Sequence, residues 1–471
     1  MTSRYTSERI AHWNRIATNC QKGICSKFYH ELLCHYYKFF VPLGLRILEI
    51  GSGEGDLLHK LQPKRGLGID FSANMVSRAS SRYPELEFIC ANAHLSDIHE
   101  QFDIIILSDI LNDCEDVQKI LMNIKKNCHE QTRIIINYFN NLWRVPLAVA
   151  RRLKLARPLL EQNWLTPQDI KNFLALSGFE EISRKAFIAL SVPVSVLSKF
   201  LNRFIIHLFP FNLLALTNFS ISRPVLEKKN ISNLTTSVIV AVRNEAGNIE
   251  ELLNRIPEIG KKTEIIFVEG GSSDNTYETI EQAIVNRGRS NISLYRQHGK
   301  GKGDAVRLGF QMAIGDAVLI LDADMTVKPE ELPRFVQALV DGQGEFINGV
   351  RLVYPMEDEA MRFFNIIGNK FFSIAFSWLL NQQIKDTLCG TKVMWKSDYE
   401  MLAKNRHYFG EFDPFGDFDF IFGAAKMNLK IIDLPIRYQA RRYGTTNISR
   451  WRNGLTLLKM VIFASRKIKF I

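Results

Sequence analysis

Asp322 and Asp324 stand two residues apart at the polar end of an apolar run, Ala317 to Leu321, and this junction constrains the fold more than any other stretch. The run reads as a buried strand, and the two-residue period of an extended chain turns Ala323 to one side and both acids to the other. Two carboxylates then leave a sheet edge on one face. Hard oxygen ligands so placed suit Mg2+ or Mn2+, which keeps several waters and takes its remaining ligands from a substrate diphosphate. Alone, the pair reads more readily as a solvated turn before a helix start at Lys328-Pro329-Glu330.

The surroundings decide against the bare turn. The segments SVIVAVRNE, EIIFVEGGSSDNT, ISLYRQ and AVLILDAD alternate with helical stretches from Thr236 onward, which predicts a mostly parallel sheet with helices on its faces. Glu245 ends the first of these strands and Glu269 the second, so acids collect at the carboxyl edge where open α/β sheets bind ligands. GKGKGDAVRLGF is not a P-loop, because Gly303 stands where a Ser or Thr has to reach the metal.

The first half repeats the pattern. In LRILEIGSGEGDLL an apolar strand meets a turn with Gly51, Gly53 and Gly55, where a ligand can approach the backbone and a helix start supplies oriented N–H groups. GLGIDFSANM gives a second strand ending in Asp70, a carboxylate placed for two ribose hydroxyls. LEFICANA brings Asn92 to the same edge, and FDIIILSDIL brings Asp109.

Over roughly residues 25–190 these motifs resemble the class I S-adenosylmethionine-dependent methyltransferases. The resemblance implies that Glu49, Gly51, Gly53 and Gly55 lie beside the methionine part of the cofactor and that Asp70 holds the ribose. It places Ser72 and Met75 in the pattern after that acid, with Met75 flanking adenine, and Asn92 at the adenine edge in place of the usual Asp. A dinucleotide dehydrogenase is the rival reading, and the spacing with the early acid Glu49 fits it less well. Methyl transfer to a hydroxyl needs a base, typically worth about 10²- to 10⁴-fold, and the candidates are Asp109, Asp113 and His35. A His near Asn112, frequent in the family, is missing here.

VRNE, VEGGSSDNT, GKGKGDAVRLG and DADMTVKPEEL, read together, resemble glycosyltransferase family 2 and within it the polyprenol-phosphate branch, over about Ser237 to Trp451. The resemblance implies a GT-A fold in which Glu245 and Glu269 hold the nucleoside of a nucleotide-sugar and Arg243 and Lys302 lie near the diphosphate. Asp322 and Asp324 then hold the metal. Arg351 and Lys370 would clamp an acceptor phosphate, with Arg450 and Trp451 in a loop that closes over the diphosphate. For a hydroxyl acceptor, Asp417 or Asp419 in GDFDF is the candidate base. Departures are Glu269-Gly270 in place of an aspartate pair, Ala241 in place of Pro, and Thr326 at a frequent third metal-ligand position.

A formal charge of +11 favours an anionic partner. The charged opening shows no secretory signal, and seven irregularly spaced cysteines form no disulfide framework, so a reduced, cytoplasmic setting is expected. Nucleic acid is disfavoured, because the basic residues cluster with aliphatic ones. After Asp433 no acid appears, and Arg and Lys interleave with Leu455, Leu458 and Ile462, the pattern of a helix lying on an anionic membrane surface. NWLTPQDIKNFLALSGFEEI closes the first domain with a Thr-Pro helix start, and the apolar stretch after it reads as a buried or interfacial helical hairpin and a linker, with a membrane span over 204–222 as the alternative.

The expected architecture is therefore an α/β chain of two Rossmann-like domains. A class I methyltransferase fold covers 1–190, the hairpin and linker 191–235, a GT-A domain 236–435 and a basic membrane-surface tail 436–471. The expected activity is metal-dependent sugar transfer from a nucleotide-sugar to a polyprenyl phosphate or membrane glycolipid, with methyl transfer in the same pathway. The alternative keeps the first domain as a cofactor-binding scaffold without turnover.

Overall fold

The computed structural model describes residues 3–18, 23–94, 98–153, 160–288, 290–354, 363–409, 416–441, 443 and 450–471, without the side chains of 195, 363–367 and 450–453. The chain divides into two compact units, Met1–Val225 with Phe470–Ile471, and Leu226–Lys469.

In the first unit seven strands form one sheet: β1 (Arg46–Ile50), β2 (Arg65–Asp70), β3 (Glu87–Cys90), β4 (Phe102–Ser108), β5 (Cys128–Phe139), β6 (Phe179–Phe187) and β7 (Thr217–Pro224). Their order is β3-β2-β1-β4-β5-β7-β6, and β7 runs antiparallel to both neighbours. Strand order reverses between β1 and β4, which opens a crevice at their carboxyl ends. The middles of the central strands, Ile47-Leu48 of β1, Ile104 to Leu107 of β4 and Ile134 to Ile136 of β5, are apolar and buried because helices cover both faces. Tyr36, Tyr37 and Phe40 of helix Ile24–Phe40 pack with Phe187 and Phe219 on one face, while Leu121, Ile124, Ile170 and Leu174 fill the other. Helix Pro167–Leu176 begins as expected: the Asp169 N–H donates to Thr166 Oγ1 at 3.2 Å, and the Thr166 N–H donates to the Asp169 carboxylate at 2.7 Å.

The expected helical hairpin and linker are corrected. Helix Ser195–Arg203 and two short 3-10 turns, Ile205–His207 and Phe211–Leu214, lead into β7, a fully buried strand. Its polar residues hide it in the sequence, and Thr217, Ser220 and Arg223 find partners inside. Ser220 Oγ donates to Glu181 at 2.7 Å, Arg223 Nε donates to Glu180 at 2.6 Å, and Thr217 meets the Tyr29 hydroxyl at 3.2 Å. The first unit thus runs on to Val225, past the boundary expected at 190.

The second unit has its own seven-stranded sheet: β8 (Thr235–Val242), β9 (Lys262–Glu269), β10 (Ile292–Arg296), β11 (Ala317–Ile320), β12 (Phe346–Val350), β13 (Lys392–Trp395) and β14 (Ile431–Pro435). The order is β10-β9-β8-β11-β13-β12-β14, with β13 antiparallel to β11 and β12. Here the reversal falls between β8 and β11. Helix Lys302–Met312 lies on one face, with Gly309 allowing close approach to Ile239 of β8, and helix Leu332–Val340 lies on the other. Among the described residues no helix is long and apolar enough to cross a membrane.

Candidate functional sites at two sheet edges

In the first unit the loop after β1 is a cradle. Gly51, Gly53 and Gly55 have φ of 76°, 51° and 78°, and a Cβ on Gly51 would press on Ile110. The Gly53 N–H donates to Asp70 Oδ2 at 2.9 Å and the Ser72 N–H to Oδ1 at 2.8 Å, so the carboxylate at the end of β2 is fixed by backbone. Burial raises Asp70 above the usual carboxylate range against those two bonds. Ser72 caps helix Ala73–Arg82 through the Met75 N–H and donates to Asn14 Oδ1 at 2.6 Å, which leaves Met75 buried under the loop. Asn92 accepts the His94 N–H at 3.0 Å, so its amide nitrogen is the group left for an adenine edge. Glu49 is buried and its Oε2 has no partner among the described residues. An orphaned acceptor beside a glycine cradle fits S-adenosylmethionine, whose ammonium can supply the missing donor.

Asp109 follows β4 with a φ of 56°, a strained backbone that its neighbours hold in place. Tyr29 Oη donates to it at 3.0 Å and Asn137 Nδ2 at 2.6 Å, and Tyr37 Oη donates to Asn137 Oδ1 at 2.7 Å. Desolvation at this part-buried position pushes Asp109 up to about 7, and the Tyr29 and Asn137 bonds hold it from rising further. Asp113 is tied instead to Arg9 at 2.9 Å and Trp13 at 2.6 Å, and His35 is exposed with no hydrogen bond to either acid among the described residues. Helix Arg4–Thr18 thereby touches the loop after β2 through Asn14 and the loop after β4 through Arg9 and Trp13. Sequence reasoning missed that role, since the opening residues signal only charge.

In the second unit Asp322 and Asp324 emerge beyond β11 beside Glu245, at the reversal. Lys302 Nζ reaches Asp322 Oδ1 at 2.5 Å. Arg441 Nη2 lies 2.9 Å from Asp324 Oδ2 and 3.3 Å from Glu245 Oε1, joining two strand ends. Thr326, at the position where the family resemblance implies a third metal ligand, instead donates its hydroxyl to Asp324 Oδ1 at 2.8 Å and orients that acid. Glu269 accepts the Ser272 N–H at 2.5 Å, and Arg243 is exposed at the end of β8. Asn244 and Met325 carry positive φ of 56° and 53°, so strain again sits at the residues flanking the acids.

Of the residues expected on the acceptor side, Arg351, Asp417 and Asp419 are already paired. Asp386 holds Arg351 in a two-point pair at 2.6 and 2.8 Å, and Lys392 holds Asp417 at 2.8 Å in a buried contact. Asp419 pairs with Arg406 at 2.8 Å, and Arg406 lines a cavity of about 630 Å³ with Arg307 and Lys396. Lys370 is exposed on helix Phe363–Leu380, and the side chains of Arg450 and Trp451 lie outside the described residues. Among the described residues no group of three His, Cys, Asp or Glu side chains converges on a metal position. The donor chemistry of Asp322 and Asp324, two carboxylates with Lys302 and Arg441 as their present cations, still fits a hard divalent ion that completes its shell with water and diphosphate oxygens.

Each of the two α/β units gathers acids at the reversal of its strand order, the place where open α/β sheets bind ligands. Residues 43–176 match the family model described as a methyltransferase domain, and residues 237–400 match glycosyl transferase family 2. The first unit thus contains a region that matches a methyltransferase domain and the second a region that matches glycosyl transferase family 2, each over about a third of the chain.

The undecaprenyl-phosphate 4-deoxy-4-formamido-L-arabinose transferase of Pectobacterium carotovorum subsp. carotovorum is 37% identical over 110 residues, 22% of this chain and 34% of that protein. The enzyme of the same name from Pseudomonas aeruginosa PAO1 is 34% identical over 110 residues, 22% of this chain and 32% of that protein. The chain thus spans about a third of the length of these relatives. Among solved structures, magnesium protoporphyrin IX methyltransferase from Synechocystis PCC 6803 is 16% identical, with 47% of this chain and 96% of that chain covered and a TM-score of 0.33. An S-adenosylmethionine-dependent methyltransferase from Mesorhizobium loti is 18% identical, with 40% and 97% covered and a TM-score of 0.32. At those scores the likeness carries no argument.

Proposed function

We propose that the second unit transfers a sugar from a nucleotide-sugar to a polyprenyl phosphate at a membrane surface, and that the first unit methylates a substrate of the same pathway. The observation that carries the first half is the gathering of Glu245, Asp322 and Asp324 at one strand reversal with Lys302 and Arg441 among them. A departing nucleoside diphosphate gains negative charge, and a unit pair at 4 Å and an effective dielectric of 20 is worth about 4 kcal/mol. Lys302 and Arg243 are the cations for that charge. Held by Asp322 and Asp324, Mg2+ or Mn2+ supplies further Lewis-acid neutralisation of the diphosphate.

The pairing of the acids favours a phosphate acceptor. Asp417 is committed to Lys392 and Asp419 to Arg406, so neither stands free as a base for a hydroxyl. A phosphate monoester has its second ionisation near pH 6, about that of a phospho-amino acid, and needs no base. Arg351, oriented by Asp386, and Lys370 are the cations for it, and the relatives' names point to the same acceptor class. Helices Phe363–Leu380 and Arg450–Ala464 expose Phe371, Ile374, Leu455, Leu458 and Ile462, which supports a peripheral seat on the membrane.

For the first unit, the Asp70 loop and the orphaned Glu49 oxygen support S-adenosylmethionine, and Asp109 near 7 suits a proton acceptor at neutral pH. The test is incubation of the full chain with Mn2+, undecaprenyl phosphate and a panel of nucleotide-sugars, followed by mass spectrometry of the lipids. Product with wild type and none with Asp324→Ala is expected; equal product from both removes the assignment. Calorimetric binding of S-adenosylmethionine without methyl transfer to any lipid product would leave the first unit as a scaffold.

A further inference from the structure

The first unit carries an apolar surface that its own core does not use. β7 enters the sheet at Thr217 opposite Phe139, the last residue of β5. The segment before β7 and the helix after β5 therefore leave from the carboxyl edge that holds Gly51, Asp70 and Asp109. The two segments are tied together. Asn140 Nδ2 donates to the Leu213 carbonyl at 2.8 Å, and Trp143 Nε1 donates to the Leu214 carbonyl at 3.0 Å. On helices Arg144–Arg152 and Ser195–Arg203 and the turns that follow, Val145, Val149, Val196, Phe200, Phe209 and Leu213 are between 52% and 82% exposed.

Charge says what covers this face. Residues 131–160 and 182–226 contain no Asp or Glu, while Arg144, Arg152, Lys199 and Arg203 stand exposed among the apolar side chains. An apolar surface of this extent marks an interaction site, and the charge-free core of a protein interface does not call for a one-signed basic ring. The boundary of an anionic bilayer does, because it takes apolar side chains between its headgroups and holds Lys and Arg against lipid phosphates. We infer that the methyltransferase unit docks on an anionic phospholipid bilayer through this face, and that its methyl acceptor is a membrane-borne amphiphile presented at the carboxyl edge. The inference rests on the membrane reading above and assigns a contact to the unit that reading leaves without one.

The test is hydrogen–deuterium exchange of the full chain with vesicles of phosphatidylglycerol and phosphatidylcholine, against vesicles of phosphatidylcholine alone. Exchange across 141–153 and 195–214 is expected to slow by about fivefold or more with the anionic vesicles only, the factor that one basic residue at a leaflet contributes. The Val196→Glu/Phe209→Glu variant should lose that protection, keep any at 450–464 and bind S-adenosylmethionine as wild type does. Protection confined to 450–464 overturns the inference and leaves the sugar-transfer reading standing. Protection nowhere removes both membrane contacts. Slowed exchange that follows protein concentration without vesicles makes a second copy the occupant and overturns it too.

Discussion

Lys302 Nζ lies 2.5 Å from Asp322 Oδ1, so the lysine that opens a helix and the acid that ends the fourth strand of the second sheet share one charge pair. Burial works to raise the Asp322 carboxyl and the Lys302 ammonium overrides it, which holds that carboxyl below the usual carboxylate range. Lys302→Met leaves the burial and removes the ammonium. Sugar transfer is expected to fall about tenfold in kcat/KM, ~1.4 kcal/mol once solvent screening of a pair with side chains 32% and 27% exposed is allowed for. The acid limb of the pH–rate profile should move to higher pH, because Asp322 then protonates earlier. An unmoved limb would show that the lysine does not set the state of this acid.

Gly390 sits where the pair leaves no room: a Cβ there would press on both Asp322 Oδ2 and Lys302 Nζ. Gly390→Ala is expected to wedge them apart at a cost of about 1 to 3 kcal/mol. The measurement is a comparison of two readouts in one protein, sugar transfer down about tenfold or more with S-adenosylmethionine affinity unchanged. A fall in both would mean general destabilisation instead.

The acids at the strand ends were legible because several apolar runs, each followed by a carboxylate and alternating with helical stretches, together indicate the carboxyl edge of an open sheet. Glu245, Glu269, Asp322, Asp324 and Asp70 all fall at the carboxyl edges that the sequence indicated. β7 was not legible, since Thr217, Ser220, Ser222 and Arg223 look like loop residues until Tyr29, Glu181 and Glu180 are seen to pair with three of them. Partners far along the chain likewise hide the state of each acid. Arg441 lies 117 residues from Asp324, and nothing local to either names the other.

Arg441 bridges Asp324 and Glu245, and a divalent ion on Asp324 has to compete with it. Arg441→Gln is expected to tighten Mn2+ binding in the absence of donor by about tenfold, ~1.4 kcal/mol after discounting for the partly exposed guanidinium. Electron paramagnetic resonance titration of free Mn2+ reads this directly. Chelation by excess EDTA should stop sugar transfer and leave S-adenosylmethionine binding intact. Identical Mn2+ affinity in wild type and variant would separate the metal from Asp324.

Asp109 is the opposite case to Asp322, a carboxyl pushed up to about 7 by burial with no cation to oppose it. Below about pH 4 the folded and unfolded chains both hold this proton and it has no effect on stability. Between about pH 4 and 7 the unfolded chain releases it while the folded one keeps it, so stability falls as pH rises and levels off above 7. The loss amounts to at most about 4 kcal/mol across that window. Asp109→Asn keeps an acceptor for Tyr29 or Asn137 and removes the proton, so the first unit's urea midpoint should lose this part of its slope between pH 5 and 7. If Asp109 also takes the acceptor's proton, the same variant loses methyl transfer while binding S-adenosylmethionine normally. A variant that keeps the wild-type slope places the titration elsewhere in the unit.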